Sequence, residues 1–346
     1  MRLFSRLWPE ERIAALFFAG IAALFAARLY PFTIWPLFLS YLQFLGVIAL
    51  AVIPPRLVVD AVRRRRGTHV PGATRRDLVA FARALVSLLV VLIAYTNLKC
   101  RLLLFHPRLF DQILERLDDV LHAGGGDFIA WVTTFHSHQG TIVSYYFYYY
   151  AWAALALPLA VAMARRQGDG ETLVRRTLAA LGLCYIVGVF LYLALPTLGP
   201  AMVERERYSA LAGTSVFTLQ QTMLGALRHI VQNPLAPAVP FFGLAAFPSL
   251  HLATSSLGIL LAWKTWRPLL FLLVPWNLAI AASAIYFGWH YVVDFYPALL
   301  LAGGSWWAAG RWVGLPSSSS PSATKPPAES SPLAAGADPE AGAPGD

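Results

Sequence analysis

Residues 249–287 read SLHLATSSLGILLAWKTWRPLLFLLVPWNLAIAASAIYF, and this stretch decides the class of fold. It consists of two apolar runs, 249–266 and 268–287, with Lys264 and Arg267 at the short turn between them. A run of roughly 20 apolar residues is long enough to cross a bilayer as a helix. The stretch therefore predicts a helical hairpin in a membrane.

The same pattern extends over most of the chain. Its 346 residues are 58% hydrophobic and only 13% charged, whereas soluble domains carry about 25% charged residues. We therefore predict an all-α, polytopic membrane protein with about eight transmembrane helices. The first apolar segment lacks a small-residue cleavage site and is followed closely by another, which favours a retained helix over a signal peptide. The predicted spans are 11–30, 32–54, 78–97, 140–164, 177–195, 249–266, 268–287 and 291–313.

Basic residues orient the predicted spans. They concentrate between spans two and three, between spans four and five, and at the turn between spans six and seven. Short loops rich in Lys and Arg lie on the cytoplasmic side. Both termini are then cytoplasmic, and the segments 98–139 and 196–247 and the turn around Gly288 are extracytoplasmic. We interpret the net charge of +9 in this way rather than as a nucleic-acid surface.

Three regions follow from this topology. Residues 1–77 hold two spans and a basic cytoplasmic loop, and residues 78–314 hold a six-helix core. Residues 315–346 are rich in Pro, Ser, Ala and Gly, which predicts a disordered cytoplasmic tail. Cys100 and Cys184 have no metal-ligand neighbours at short spacing, so neither a disulfide framework nor a structural zinc site is expected.

The predicted extracytoplasmic segments contain two further features. Residues 110–121 carry apolar positions at helical spacing, which predicts an amphipathic helix on the surface. His136 and His138 precede an aromatic run at residues 145–150, which we interpret as an interfacial belt.

His290 and Asp294 form the first chemical motif. They are four residues apart and share a face if the segment is helical. Gly288 is expected to end span seven, which places His290 in the first turn of span eight. Asp294 can then accept the Nδ1–H of His290 and present Nε2 as a nucleophile to phosphorus. The alternatives are a His–Asp pair that only tethers helices, and half of a metal site, although further ligands at suitable spacing are missing.

The second motif is Pro248-Ser249-Leu250-His251. Ser249 is a predicted N-cap, and a helix N-terminus binds phosphate through its free N–H groups. His251 could donate a proton to a leaving oxygen, although an ordinary interfacial histidine after a helix cap is the alternative. Both motifs begin outward-facing helix ends, so we expect them to meet in one site. Its expected members are the catalytic His251, His290 and Asp294 and the phosphate-binding Pro248, Ser249 and Gly288.

Together the motifs resemble PSxH and SRxxxxxHxxxD, the second and third signatures of the type 2 phosphatidic acid phosphatase (PAP2) superfamily. The third signature fits from Ser283 to Asp294, but Ala284 stands where the family has arginine. The first signature, KxxxxxxRP, is missing at the outer end of span five, where residues 195–200 read LPTLGP. A near match at residues 99–107 has histidine in place of arginine and lies two spans too early. We interpret it as coincidence, although Lys99 is expected to face the site.

A proline-rich segment followed by PSLH and GxHYxxD resembles, more narrowly, the inositol phosphorylceramide synthase-like branch. This resemblance implies a six-helix core over residues 78–313 and a catalytic triad of His251, His290 and Asp294. With family cations missing, Arg205 and Arg207 are candidates to hold phosphate beside Lys99. The two arginines are equally typical of a solvated charge cluster.

The function stays open at this point between two reactions and one non-enzymatic role. Both reactions would use a lipid phosphate or phospholipid and a phosphohistidine. With water the protein is a hydrolytic phosphatase of polyprenyl or glycerolipid phosphates. With an alcohol acceptor lipid it is a phosphotransferase such as a phosphosphingolipid synthase. A proton-coupled transporter is the alternative, but transporter sites lie near the bilayer midplane, between repeats. No metal, cofactor or nucleic-acid partner is expected.

Overall fold

Long apolar helices form the scaffold of the computed structural model, which describes residues 6–122, 129, 131–165, 170–239 and 246–314. Within these ranges every regular element is a helix, and the predicted tail at 315–346 lies outside them. The longer helices are α1 (Pro9–Ala27), α2 (Trp35–Arg65), α3 (Ala73–Lys99), α4 (Asp111–Leu121), α5 (His138–Tyr149), α6 (Ala153–Arg165), α7 (Gly170–Ala194), α8 (Ser215–Gln232), α9 (Leu250–Thr265), α10 (Leu270–Tyr286) and α11 (Phe295–Val313). Shorter helical turns cover Leu102–Phe105, Pro200–Val203, Arg205–Leu211, Arg267–Leu269 and Val292–Asp294.

The all-α, membrane-type architecture predicted from the sequence is confirmed. Each predicted apolar segment contains a helix, although the segment 140–164 is broken between two helices, and in the described ranges 4 helices are long and apolar enough to cross a membrane. They are Trp35–Arg65, Ala73–Lys99, Thr172–Ala194 and Arg267–Tyr286. Helices α5 and α6 form a pair bent by 43°, which would be a further span if the two act as one. The count of eight spans and the six-helix core remain predictions.

Helix α7 is central to the packing, because it contacts both α3 and α11. Helix α9, which carries His251, packs against α6 and α11. The approach of α9 to α6 depends on a glycine, since a Cβ at Gly258 would collide with the backbone carbonyl of Ala154. On α2 the outward side chains Val47 and Leu50 are 67% and 73% exposed. Exposed aliphatic side chains along a long helix are typical of a lipid-facing surface.

The two ends of the hairpin formed by α9 and α10 carry different side chains, histidines at one end and basic residues at the other. Helix α9 carries His251 in its first turn and Lys264 in its last. Helix α10 begins after Arg267 and returns to the segment that contains His290. The 16 residues of α9 correspond to a helix about 24 Å long. The two histidines therefore lie at the opposite end of these helices from the basic turn, as the predicted sidedness requires.

Candidate active site

Three connecting segments, 196–200, 246–249 and 287–294, meet at the end of the bundle where α9 and α11 begin. The N–H of Ala246 donates to the carbonyl of Thr197 at 3.0 Å, and the N–H of Phe247 donates to the Thr197 hydroxyl at 3.0 Å. The N–H of Ala201 donates to the carbonyl of Gly288 at 2.9 Å. The segment 196–200, where the first signature was expected, therefore lies between the segments that carry the second and third signatures and connects them. It contains no Lys or Arg.

Two glycines allow the first and third segments to cross. Gly199 has φ +97° and Gly288 has φ +66°, a region that side chains disfavour. A Cβ at Gly199 would lie 2.6 Å from the carbonyl oxygen of Trp289, and one at Gly288 would lie 2.5 Å from the Tyr208 ring. Helix α10 ends at Tyr286, so the predicted end of this helix at Gly288 is confirmed.

His290 and Asp294 form a buried pair. Nδ1 of His290 lies 3.2 Å from Oδ2 of Asp294, and the side chains are 5% and 0% exposed. The same Oδ2 accepts the N–H of Tyr291 at 2.9 Å. The expectation that His290 occupies the first turn of the last helix is wrong, because α11 begins only at Phe295. A short helical turn over Val292–Asp294, capped by the Asp294 side chain, precedes α11 instead. This turn brings the side chains of His290 and Asp294, four residues apart, into contact as a helix would.

Ser249 and His251 occupy the positions predicted for the second motif. Helix α9 starts at Leu250, and Oγ of Ser249 accepts the N–H of Leu252 at 3.5 Å, as expected of an N-cap. The His251 ring stacks on Tyr148, with 4.2 Å between the ring centroids. Tyr148 belongs to the aromatic run that we interpreted as an interfacial belt, so sequence reasoning missed this contact.

A cavity of about 400 Å³ joins the two histidines. His251, His290, Tyr148, Trp289 and Lys99 contribute to its lining. Tyr148 contacts both imidazoles, since its ring centroid lies 4.2 Å from that of His251 and 6.5 Å from that of His290. The structure therefore brings the two predicted catalytic histidines to one space. A bound group in this space could contact both of them.

Lys99 supplies positive charge to this cavity. No carboxylate forms an ion pair with it within the described ranges, and its Nζ lies 5.7 Å from the Tyr95 ring centroid and 5.5 Å from that of Tyr192. Its charge is therefore available to an anion. His106, from the same near match to the first signature, does not line the cavity, and its Nδ1 lies 3.0 Å from the carbonyl oxygen of Leu193.

The structure does not bring Arg205 or Arg207 to the cavity. Arg205 is exposed, and Arg207 pairs with Glu204 at 2.8 Å. Pro248 and Ser249 are buried beside the site without lining the cavity, and the Pro248 carbonyl accepts the Tyr192 hydroxyl at 3.1 Å.

The surroundings of His290 favour its neutral form. Burial lowers the pKa of His290 to about 3, and the positive charge of Lys99 acts in the same direction, against the backbone carbonyl of Ala246. A neutral imidazole keeps a lone pair on one ring nitrogen. With Nδ1–H donated to Asp294, that lone pair is on Nε2.

The cavity continues between the helices, where α2 contributes to its wall. Tyr41 and Phe44 of α2 line it together with Tyr185 and Thr254. The Tyr41 hydroxyl lies 2.5 Å from the hydroxyl of Thr96 on α3. The predicted N-terminal addition to the core thus takes part in forming the cavity.

Other candidate residues have structural partners. His136 Nε2 lies 2.7 Å from the carbonyl oxygen of Tyr286, and neither His136 nor His138 lines the cavity. Cys100 and Cys184 are both buried, and their thiols donate to the carbonyl oxygens of Val239 and Leu301 at 3.7 and 3.8 Å. In the described part of the chain, no group of three His, Cys, Asp or Glu side chains is placed to hold a metal ion.

A model of the PAP2 superfamily matches residues 114–308, which is more than half of the chain. The protein belongs to the PAP2 superfamily. No curated protein and no solved structure gave a match. PAP2 membership indicates a membrane enzyme of the phosphatase or phosphotransferase type that acts on a lipid phosphate. The matched range includes His251, His290 and Asp294 but not Lys99.

Proposed function

We propose that this PAP2 protein is an integral-membrane enzyme that cleaves a lipid phosphate ester through a phosphohistidine on His290. The observation that carries the proposal is the meeting of His290, held by Asp294, with His251 and Lys99 around one cavity. A nucleophile, an orienting carboxylate, a second proton-carrying group and a cation are the parts that such a reaction needs.

In the first half of the reaction, Nε2 of His290 attacks phosphorus and an N–P bond forms. The P–O bond to the leaving alcohol breaks, and His251, protonated while the anionic phosphate is bound, donates its proton to the departing oxygen. Asp294 stabilises the positive charge that develops on the His290 ring. Lys99 offsets negative charge on the phosphate oxygens.

In the second half, water or an acceptor alcohol enters the space left by the first product. His251, now neutral, accepts a proton from the entering hydroxyl as its oxygen attacks phosphorus. The N–P bond breaks and His290 is regenerated. Both halves use the same residues, so the acceptor decides whether the net reaction is hydrolysis or transfer.

Charge matching favours a phosphodiester substrate. Lys99 is the single Lys or Arg among the described residues that line the cavity, and Ala284 replaces the arginine of the third signature. A phosphomonoester carries a charge of about −1.5 to −2 near neutral pH, whereas a diester carries one negative charge. We therefore favour transfer of a phosphate-linked headgroup from a phospholipid to an alcohol lipid, as in the inositol phosphorylceramide synthase-like branch. Hydrolysis of polyprenyl or glycerolipid phosphates is the second candidate.

The proposed location of the site is the extracytoplasmic leaflet. The basic loops support cytoplasmic termini, and the two histidines lie at the opposite ends of α9 and α10 from Lys264 and Arg267. A lipid headgroup at that surface could reach the cavity without crossing the bilayer.

The deciding experiment incubates the purified protein in detergent with phosphatidylinositol, phosphatidic acid or a polyprenyl phosphate, each with and without ceramide. Products are identified by mass spectrometry. We expect a transfer product only when the acceptor is present, and no product with His290→Ala. His138→Ala is the matched control, because His138 is an exposed histidine outside the cavity.

Free phosphate from the monoesters alone would favour the hydrolytic candidate. Turnover of none of these lipids by the parent protein would reject the proposal. The same conclusion would follow if His290→Ala kept parental activity.

A further inference from the structure

Helix α4 (Asp111–Leu121) turns carboxylates inward and apolar side chains outward. Asp111 and Asp118 are 3% and 1% exposed, whereas Ile113 and Val120 on other faces are 43% and 79% exposed. The predicted helix at 110–121 is confirmed, but its buried side consists of Asp111, Leu114 and Asp118. A buried carboxylate is costly unless hydrogen-bond donors surround it. The partners of these two carboxylates should therefore show why they are buried.

Asp118 binds the turn between His290 and Asp294. Its Oδ2 accepts the N–H of Val292 at 2.8 Å, and its Oδ1 accepts the N–H of Val293 at 2.6 Å. Both carboxylate oxygens are thus engaged by successive backbone amides. Such a two-point contact fixes the orientation of the turn as well as its position.

Asp111 binds the neighbouring segment and the residue after His290. It accepts the N–H groups of Leu198 and Gly199 at 3.0 and 2.9 Å. Its Oδ1 also accepts the hydroxyl of Tyr291 at 3.1 Å. Asp111 therefore connects the segment 196–200 to the segment that carries His290.

We propose that Asp111 and Asp118 are positioning residues that hold His290 and Asp294 in their reactive geometry. Neither carboxylate lines the cavity, so both act through the backbone of residues 290–294 and not on the substrate. Between α10 and α11 this segment has only one short helical turn, and Asp118 binds two of its amides. The inference rests on the proposed role of His290.

The position of this segment matters because phosphoryl transfer needs the nucleophile in line with the leaving oxygen. A misplacement of about 1 Å can cost about a hundredfold in rate. A carboxylate that only stabilised the fold would change the unfolding temperature without this selective effect on kcat.

The test uses Asp118→Asn in the full-length protein, with Asp119→Asn as the matched control. Asparagine keeps the shape of the side chain but presents one acceptor and an NH2 group, so one of the two amides loses its partner. Asp119 is the exposed carboxylate next along the same helix. We expect faster hydrogen exchange in peptides that cover residues 288–294 with Asp118→Asn, and unchanged exchange with Asp119→Asn.

The same variants are assayed for turnover of phosphatidylinositol with ceramide, and of phosphatidic acid. We expect Asp118→Asn to lower kcat by about ten- to a hundredfold while KM stays within about twofold. Unchanged exchange would show that the contact is absent. Faster exchange with parental kcat would show that the contact does not position His290. Either result overturns the inference.

Tyr291→Phe keeps the test decisive if Asp118→Asn does not fold. This variant removes only the hydroxyl that donates to Asp111, so we expect a smaller fall in kcat, of about two- to tenfold, and a folded protein with a lower unfolding temperature, because a buried carboxylate loses one of its donors. Parental kcat in this folded variant would overturn the role of Asp111. His290→Ala separates the two proposals: if it abolishes turnover while Asp118→Asn does not lower it, the positioning role alone fails.

Discussion

Replacing Asp294 with asparagine tests how the carboxylate acts on His290. In a serine-protease triad the corresponding change lowers kcat about 10⁴-fold, because the wrong imidazole tautomer is favoured. Here one oxygen, Oδ2, faces both Nδ1 of His290 at 3.2 Å and the N–H of Tyr291 at 2.9 Å. The other oxygen, Oδ1, is buried and has no hydrogen-bond partner among the described residues. Because only Oδ2 of Asp294 accepts hydrogen bonds from the described residues, we predict that Asp294→Asn lowers kcat by much less than about 10⁴-fold.

An asparagine can place its carbonyl oxygen where Oδ2 lies and keep both donors. The opposite orientation would point its NH2 group at two N–H donors, so it is disfavoured. The tautomer of His290 is then retained, and the variant loses the negative charge. A hydrogen bond to a charged group contributes about 1.5–3 kcal/mol and a neutral one about 0.5–1.5 kcal/mol. The difference, about 1–1.5 kcal/mol, corresponds to roughly a tenfold fall in kcat.

The amide NH2 would occupy the buried position of Oδ1, without an acceptor. This should destabilise the fold by about 1–3 kcal/mol. Asp294→Ala removes the orienting oxygen altogether, and we expect it to lower kcat by roughly 10³-fold or more.

The assay measures steady-state kcat and the amount of acid-labile phosphoenzyme after rapid quenching, together with the unfolding temperature in detergent. Equal losses of kcat with Asn and Ala would refute the argument that asparagine retains the tautomer. Near-parental kcat with Ala would show that Asp294 does not orient the nucleophile.

Further predictions concern the other groups at the cavity. His251→Ala should lower kcat by about 10²–10⁴-fold for alkyl phosphate esters and far less for nitrophenyl esters, because a good leaving group needs no proton; equal losses would contradict the acid role. Lys99→Met should raise KM by about tenfold or more, since it removes a charge–charge contact, whereas Arg205→Met should change KM by less than about twofold. Activity should survive excess EDTA and be inhibited by vanadate, which mimics five-coordinate phosphorus; loss in EDTA that magnesium or zinc restores would contradict this. Since burial lowers the pKa of His290 to about 3, the nucleophile is protonated only as pH falls towards that value. The kcat/KM profile of His251→Ala should therefore have no acid limb between pH 5 and 8, and a limb near pH 6.5 would contradict the assignment.

Short spacings in the sequence predicted much of the site. Ser249 before an apolar run indicated the start of α9, and Gly288 after one indicated the end of α10. The pairing of His290 with Asp294 was also predictable, although for a different local structure. A separation of four residues brings side chains together in a helix and in a capped turn alike.

Other features of the site depended on contacts that no spacing reports. Lys99 was expected to face the site from its predicted side of the membrane, but only the packing of α3 places it in the lining of the same cavity as the histidines. Tyr148 stacks on His251 from within an aromatic run that is typical of a membrane interface. Arg205 and Arg207 were reasonable candidates by charge, but neither side chain lines the cavity, and Arg207 pairs with Glu204 instead.

By itself, the sequence determined the all-helical, membrane-type class of fold and the identity of the two histidine motifs. Hydropathy and close spacing are local properties, so a helix of sufficient length or a capped turn can be inferred without knowing its neighbours. Only the tertiary structure decided which cation accompanies the histidines and why α4 buries Asp111 and Asp118. Those contacts join residues far apart in the chain, and they exist because helix packing and the crossing of Gly199 and Gly288 bring the segments together.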